Sequence, residues 1–500
     1  MRMRSAVTAS LYFYPKVFGP DDADHRAAMQ TYDLIAIGTG SAMAIVQAFL
    51  EMRTKSRIAV IDKDPPGGIC LTKGCVPTKM LVYPAELIRL IQDAHGLGVE
   101  VEIARIDFKK IMKRMRTAVD SEIRQIRKGL KQSRQIDYFQ TTAEFIAPYQ
   151  LNVGGRTITA EKILLCTGSK PMIPSVKNLD RVKYHTSDTV LDLKKRPASL
   201  IILGGGYIAA EYGHFFSAMG TRVTIVGRNH RFLPHEEPEI GALAKKIMSR
   251  NMDIRTGHEA IEIQKGPAGH KKIIVLDRAQ GTTETLSAEQ ILVATGRASN
   301  TDLLNPKQSG IACDQDGWII TNRYLETSQP NIWAFGDANG KHLFKHVANY
   351  EAQIVYQNAM LKEKISVDYH AVPHAVFCYP EIASVGVTEL QALEEYGEGN
   401  ILIGFHRYQD TTKGDAMGLT EYFVKIIVEK KAQIILGAHV IGPYASILIQ
   451  EIVNLMYTRE RSVRPIFAGM HIHPSLSEVI ERAFFSLAPP DRYHQLNPSA

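Results

Sequence analysis

Five hundred residues, 45% hydrophobic and 22% charged, make roughly three globular domains at about 150 residues each, which excludes a disordered chain, a collagen, a coiled coil and a small disulfide scaffold. The net charge of +7 comes from 59 Lys and Arg against 52 Asp and Glu, and the basic residues are scattered, which argues against nucleic acid or an anionic membrane as partner. Five cysteines, sparse and odd in number, fit a reducing, cytoplasmic compartment.

Residues 1–30 read as an N-terminal extension: Arg2 and Arg4, a short apolar run through Tyr14, then Asp21, Asp22 and Asp24. The apolar run is too short for a signal peptide, so a mobile extension is expected. The uncharged stretch 34–50 is interrupted by Gly38, Thr39, Gly40, Ser41 and Gln47, so it is a strand, a turn and a helix start rather than a membrane span.

From Tyr32 the pattern is an apolar strand (34–37), a glycine turn, a helix (42–52) and a second strand (58–62) ending in Asp62, a βαβ unit. The charged segment 107–132 carries Ile111, Met115, Val119, Ile123, Ile126 and Leu130 at helical spacing, an amphipathic helix expected to pack on the first sheet. The βαβ order repeats as a strand at 200–203, Gly204 to Gly206, a helix at 207–219 and a strand at 222–226. No third glycine-rich start follows Ala298. Beyond His370 the chain is strand-rich, with a hairpin signal at 429–433 and a helix at 445–457 whose Ile447, Ile449, Ile452, Val453 and Met456 make a wide apolar face.

In the first glycine turn, Gly38-Thr-Gly40-Ser41-Ala-Met43 opens a helix whose amides can hold a pyrophosphate, with Asp62 placed for a ribose hydroxyl. Met43 stands where a small residue is usual; the alternative reading is a plain tight turn. Gly204-Gly-Gly206-Tyr207-Ile208-Ala209 is the better match, and two such sites suggest two cofactors exchanging electrons. After its second strand come Gly227 and Arg228, with His230 and Arg231 beyond. An acid there would repel a 2'-phosphate, so NADPH is favoured over NADH; a solvated basic turn is the alternative.

The most specific segment, Gly67-Gly68-Ile-Cys70-Leu-Thr-Lys-Gly74-Cys75-Val-Pro-Thr-Lys79, places two cysteines five apart. Five helical residues rise about 7.5 Å, beyond the roughly 4.4 to 6.8 Å a disulfide accepts, so a bridge needs a distorted turn, which Gly74 permits. Such a bridge suits redox chemistry. Zinc wants closer pairs and more ligands; two unrelated buried thiols are the other alternative. Near the C-terminus His473 precedes Pro474, with Glu478 five positions on. An imidazole oriented by a carboxylate suits proton exchange with a dithiol, although His-Pro alone also marks a turn.

These motifs, with Thr167-Gly168, Glu211, Ala294-Thr-Gly296-Arg297, Gly336-Asp337 and Pro380 in order between Tyr32 and Leu487, resemble the FAD-dependent (class I) pyridine nucleotide-disulfide oxidoreductases, which include dihydrolipoamide dehydrogenase and the glutathione, mycothione and mercuric reductases. The resemblance implies an α/β fold with two Rossmann-like nucleotide-binding domains and a C-terminal α+β dimerisation domain. The expected division is an extension (1–30), an FAD-binding domain in two parts (31–184 and 298–370), an NAD(P)-binding domain (185–297), an interface domain (371–490) and a tail (491–500).

It further implies FAD at Gly38, Gly40, Ser41, Asp62, Lys63, Gly68, Lys79, Thr167, Gly168, Gly336 and Asp337. NAD or NADP is implied at Gly204, Gly206, Tyr207, Ile208, Glu211, Arg228, Gly296 and Arg297. Cys75 would lie against the flavin and Cys70 would exchange with a dithiol or disulfide substrate. Lys79 and Glu211 would pair near the flavin and Tyr207 would gate the nicotinamide. His473, the acid/base, and Glu478, its orienting partner, would reach into the second subunit of a homodimer. Cys166, Cys313 and Cys378 match no catalytic place, and no metal site is expected. No cysteine follows Cys378, so the C-terminal thiol pair of mercuric reductase is absent. The tail from His471 to Glu478 looks most like dihydrolipoamide dehydrogenase, with a lipoylated protein as possible partner; the alternative is an NADPH-dependent reductase of a low-molecular-weight disulfide of mycothione or glutathione type.

Overall fold

The computed structural model describes residues 29–497, so the expectation for the extension lies almost wholly outside it. The chain forms two compact units, residues 29–77, 114–172 and 297–367 in one, and 78–113, 173–296 and 368–497 in the other.

In the first unit the strands Ile136–Phe139, Ile58–Ile61, Gln30–Ile37 and Arg156–Leu165 run parallel in that order, with Ile332–Ala334 also beside Arg156–Leu165. An antiparallel extension, Gln150–Val153 then Ala143–Ala147, continues the sheet. Parallel strands are covered on both faces and so read as unbroken apolar runs. Their period of two sorts them: Ile35, Ile37, Ala59, Ile61, Ile163 and Leu165 pack with Phe145 and Leu151. Leu34, Ala36, Ile58, Val60 and Leu164 pack with Ile45, Val46 and Phe49 of the helix Ala42–Met52 and with Ala352 and Val355 of the helix Lys345–Met360. Met43 joins this second core, so the larger residue in the glycine motif is absorbed by helix packing. The amphipathic helix is Phe108–Gln132. Its C-terminal Leu130 enters the first unit's core, whereas Phe108 at its other end lies 6.0 Å and 6.3 Å from the rings of Phe215 and Phe216. Its last turns therefore pack on the first sheet.

The second unit holds a parallel sheet in the order Asp253–Thr256, Arg222–Gly227, Ser199–Leu203, Gln290–Val293, His185–Thr186, with the helix Tyr207–Ala218 following its central strand. It also holds a five-stranded antiparallel sheet, Pro373–Val376, Ile382–Gly386, Ile435–Ile441, Phe423–Glu429, Ile401–Arg407. The hairpin anticipated at 429–433 joins Phe423–Glu429 to Ile435–Ile441. The helix Ala445–Met456 buries Ile449, Ile452, Val453 and Met456 against this sheet but leaves Ile447 68% exposed. Among the described residues no helix is long and apolar enough to cross a membrane.

Candidate functional site

Cys70 lies in the short helix Gly68–Thr72 and Cys75 is the first residue of the helix Cys75–Asp93. Lys73 between them leaves helical geometry. A Cβ on Gly74 would stand 3.0 Å from the Ile69 carbonyl oxygen and 3.3 Å from Cys70 Cα. This break is the distorted turn the spacing demanded: it folds Cys75 back until the two sulfurs share a hydrogen bond, both as free thiols. That hydrogen bond, then burial, then the charge of Cys75 push the Cys70 thiol far above its ordinary range, while Lys345 acts the other way. Cys75 heads its helix, where the free backbone amides of the first turn favour negative charge.

In the glycine turn of the same unit, a Cβ on Gly38 would stand 2.1 Å from the Cys166 carbonyl oxygen, and one on Gly68 2.6 Å from Gly40 Cα. Ser41 at the N-cap makes no cap hydrogen bond. Its hydroxyl donates to Asn349 Oδ1 and accepts from Lys345 Nζ, each at 2.9 Å. Asp62 is tied into the turn, accepting from the Thr39 amide (2.9 Å) and hydroxyl and, through its other oxygen, from the Asp64 amide (3.0 Å). Burial raises its carboxyl and the Thr39 bonds offset only part of this. Lys63 is exposed and pairs with Asp64 at 2.8 Å. Ser169 links Asp337 to Arg297: its hydroxyl donates to Asp337 Oδ2 and accepts from Arg297 Nε at 2.6 Å, while Arg297 Nη2 donates to its carbonyl at 2.8 Å. Beside it, Gly168 and Gly336 take positive φ of 66° and 64°, and Thr167 Oγ1 is buried with no hydrogen-bond partner. Burial also pushes the Cys166 thiol up to about 11, which keeps it protonated.

In the second unit Lys79 Nζ donates to both oxygens of Glu211, at 2.7 Å and 2.8 Å. Glu211 also accepts from the Phe377 amide at 3.1 Å, and the Phe377 ring lies 4.3 Å from Lys79 Nζ. Glu211 stands one helical turn after Tyr207, hence on the same face. A Cβ on Gly204 (φ 125°) would stand 2.1 Å from the Ala294 carbonyl oxygen; Gly206 caps the helix with no side-chain bond, and Ile208 lies in its first turn. Gly296 takes φ 122°. Gly227 ends its strand with Gly205 close by, and Arg228 is exposed just beyond. His473 Nδ1 lies 3.0 Å from Glu478 Oε1, and Glu478 also accepts from the Ser475 amide (3.1 Å) and Arg482 Nη2 (3.2 Å). The hydrogen bond from His473 leads the effects that hold Glu478 below the usual carboxylate range. His473 is well exposed, between Ile472 at 77% and buried Glu478.

Sequence reasoning missed Lys345, Asn349, Phe377, and a contact of Tyr207 with His374 and Glu236. None carries a local signal, since each is brought to its place by the fold.

Residues 32–360 match the pyridine nucleotide-disulphide oxidoreductase family and residues 372–484 its dimerisation domain. The chain belongs to this family. It is 36% identical to mycothione reductase of Mycobacterium tuberculosis (strain H37Rv) over 92% of this chain and 100% of that protein. It is 32% identical to dihydrolipoyl dehydrogenase of Chlamydia pneumoniae over 90% and 95%. A solved structure, the Cu(II) complex of the HOCl-induced flavoprotein disulfide reductase RclA from Escherichia coli, superposes with a TM-score of 0.79 at 27% identity, covering 91% of this chain and 100% of that one. The fold is thus two nucleotide-binding domains and a C-terminal dimerisation domain, and the cofactors are FAD and NAD(P). The residues present fit them: two glycine turns that leave room at Gly40 and Gly206, two helix N-termini without side-chain caps, and the orphaned Thr167 hydroxyl.

Proposed function

We propose that this oxidoreductase reduces a low-molecular-weight disulfide at the expense of NADPH. The observation that carries the reading is the end of the strand Arg222–Gly227: no acid stands there, and Arg228 follows, with His230 and Arg231 in the same turn. A carboxylate at that point would repel a 2'-phosphate, whereas a guanidinium attracts it. The greater identity to mycothione reductase than to dihydrolipoyl dehydrogenase supports the same reading.

On this reading Gly38, Gly40, Ser41, Asp62, Lys63, Gly68, Thr167, Gly168, Gly336 and Asp337 hold FAD, with Lys79 beside it. Gly204, Gly206, Tyr207, Ile208, Glu211, Arg228 and Gly296 serve the nicotinamide nucleotide, and Arg297, held to Asp337 through Ser169, stands with the FAD group. FAD, when bound, relays the electron pair of the hydride to the sulfur pair. His473 of a second copy takes the proton of the Cys70 thiol as that sulfur attacks the substrate disulfide, and returns it to the thiolate released when the mixed disulfide forms. Attack by Cys75 on Cys70 releases the second thiol and restores the bridge. NADPH, one proton and one disulfide give NADP+ and two thiols. Glu478 keeps the His473 ring oriented. A homodimer in a reducing compartment follows from the same reading.

The His471 to Glu478 tail favours a second reading, oxidation of dihydrolipoamide, free or on a lipoylated protein, with NAD. Steady-state assays separate the two. Consumption of NADPH with small disulfides, faster than of NADH, supports the first; turnover only with dihydrolipoamide and NAD replaces it by the second.

A further inference from the structure

Tyr207 heads the helix Tyr207–Ala218, directly after the Gly204–Gly206 cradle, and shares a face with Glu211 one turn on. Its hydroxyl is not free to turn. It lies 3.1 Å from His374 Nε2, which in turn lies 2.7 Å from Glu236 Oε1. The phenol and imidazole rings stack with centroids 5.4 Å apart and planes 24° from parallel. Burial, then the charge of Glu236, pushes the Tyr207 phenol above its ordinary range, so it stays protonated. That carboxylate is 3% exposed, and its second oxygen accepts from the Ser384 hydroxyl at 2.7 Å. Although burial acts to raise it, the His374 hydrogen bond and charge, with Ser384, bring Glu236 down to about 2, so it is a fixed acceptor across the working pH range.

We propose that His374 and Glu236 are positioning residues that latch Tyr207 in one rotamer, and that this latch sets how readily the nicotinamide cofactor seats in the second unit. The inference rests on the reading that this unit takes the nicotinamide nucleotide. His374 belongs to the strand Pro373–Val376, and Phe377, just past its end, donates its amide to Glu211. One short segment therefore grips the helix face at two points a turn apart, Tyr207 through a side chain and Glu211 through the backbone. The grip is polar and anchored on a buried carboxylate, which gives it direction that an apolar contact lacks. A nicotinamide ring stacking at Tyr207 must first draw the phenol off this anchor, so the latch opposes binding. Ser384 bonds Glu236 without touching Tyr207, which separates the latch from the general integrity of the buried carboxylate.

The test uses the FAD-loaded dimer with 3-fluorotyrosine placed at position 207. Fluorine NMR reports the ring's surroundings without turnover, and equilibrium titration gives the affinity for NADP+ and for NAD+. His374→Ala is expected to move the fluorine resonance and tighten nucleotide binding about ten-fold, the size of one hydrogen bond to a charged group. His374→Gln, which keeps an N–H for Glu236, is expected to restore part of both effects, and Ser384→Ala to leave the resonance in place. The latch is overturned if His374→Ala leaves the resonance and the affinity within two-fold of the parent, or if Ser384→Ala reproduces its effects. Failure of the parent protein to bind either nucleotide would instead overturn the nicotinamide reading, while the resonance would still report the contact.

Discussion

Lys425 is fully buried, with its ammonium 2.9 Å from Glu237, 2.8 Å from Glu239 and 2.6 Å from Glu389. Among the described residues only those three carboxylates have the spacing of a cation site, and the lysine occupies it. Burial acts to lower the ammonium's ionisation, but Glu237 and its neighbours hold it above the ordinary range. Lys425→Met keeps the volume and removes the charge, leaving three buried carboxylates facing one another. Stranding a buried partner costs about 3–5 kcal/mol, and here the stranded group is multiple, so the upper part of that range is expected at pH 7. The sign with pH follows. Without the lysine, burial and mutual repulsion raise the carboxylates above their unfolded value of 4.5. Groups so raised stabilise the fold fully below about 4.5 and lose that contribution as pH rises. Urea unfolding of the parent and variant holoproteins at pH 7 and pH 5 should therefore show a deficit that shrinks at the lower pH, and adding Glu237→Gln should recover part of it. A deficit under about 1 kcal/mol, or one independent of pH, would refute the account of this cluster.

Three further outcomes follow from the geometry. His473→Ala should slow disulfide reduction about 10²- to 10⁴-fold in stopped-flow measurements while flavin reduction by NADPH keeps its rate, and Glu478→Gln should act in the same direction by less. Gly227→Asp combined with Arg228→Ala should reverse the nucleotide preference, read as the ratio of kcat/KM for NADPH and NADH; Gly227 tolerates the side chain because its Cβ would meet Gly205 Cα only at 3.4 Å. His214 is 2% exposed and burial, then the charge of Arg89, lowers its ionisation from 6.5 to about 3. Its stabilising contribution is present above pH 6.5 and lost as pH falls toward 3, about 2 kcal/mol of it by pH 5, a slope that His214→Phe should flatten in pH-dependent unfolding.

The chemistry-bearing parts of this chain were legible where they depend on neighbours in sequence. Gly74 between two cysteines announced the broken helix, and Gly38 and Gly204 announced backbone approaches that no Cβ allows. His473 and Glu478 were legible because five positions across a tight segment bring them together. What stayed hidden depends on topology. Lys345 reaches Ser41 across 304 positions and His374 reaches Glu236 across 138. Neither contact leaves a periodicity or a motif, because the sheet order alone creates it. The cofactor choice lay between, since the missing acid at Gly227 was visible while the nearness of Gly205 to Gly227 was not.

The central claim is that Cys70 and Cys75 store an electron pair alongside the flavin. Anaerobic titration of the holoenzyme with NADPH, counted by absorbance, tests it most directly. The account predicts that the parent takes up four electrons per flavin and develops long-wavelength absorbance, and that Cys70→Ser takes up two. Equal uptake by the parent and the variant would contradict it.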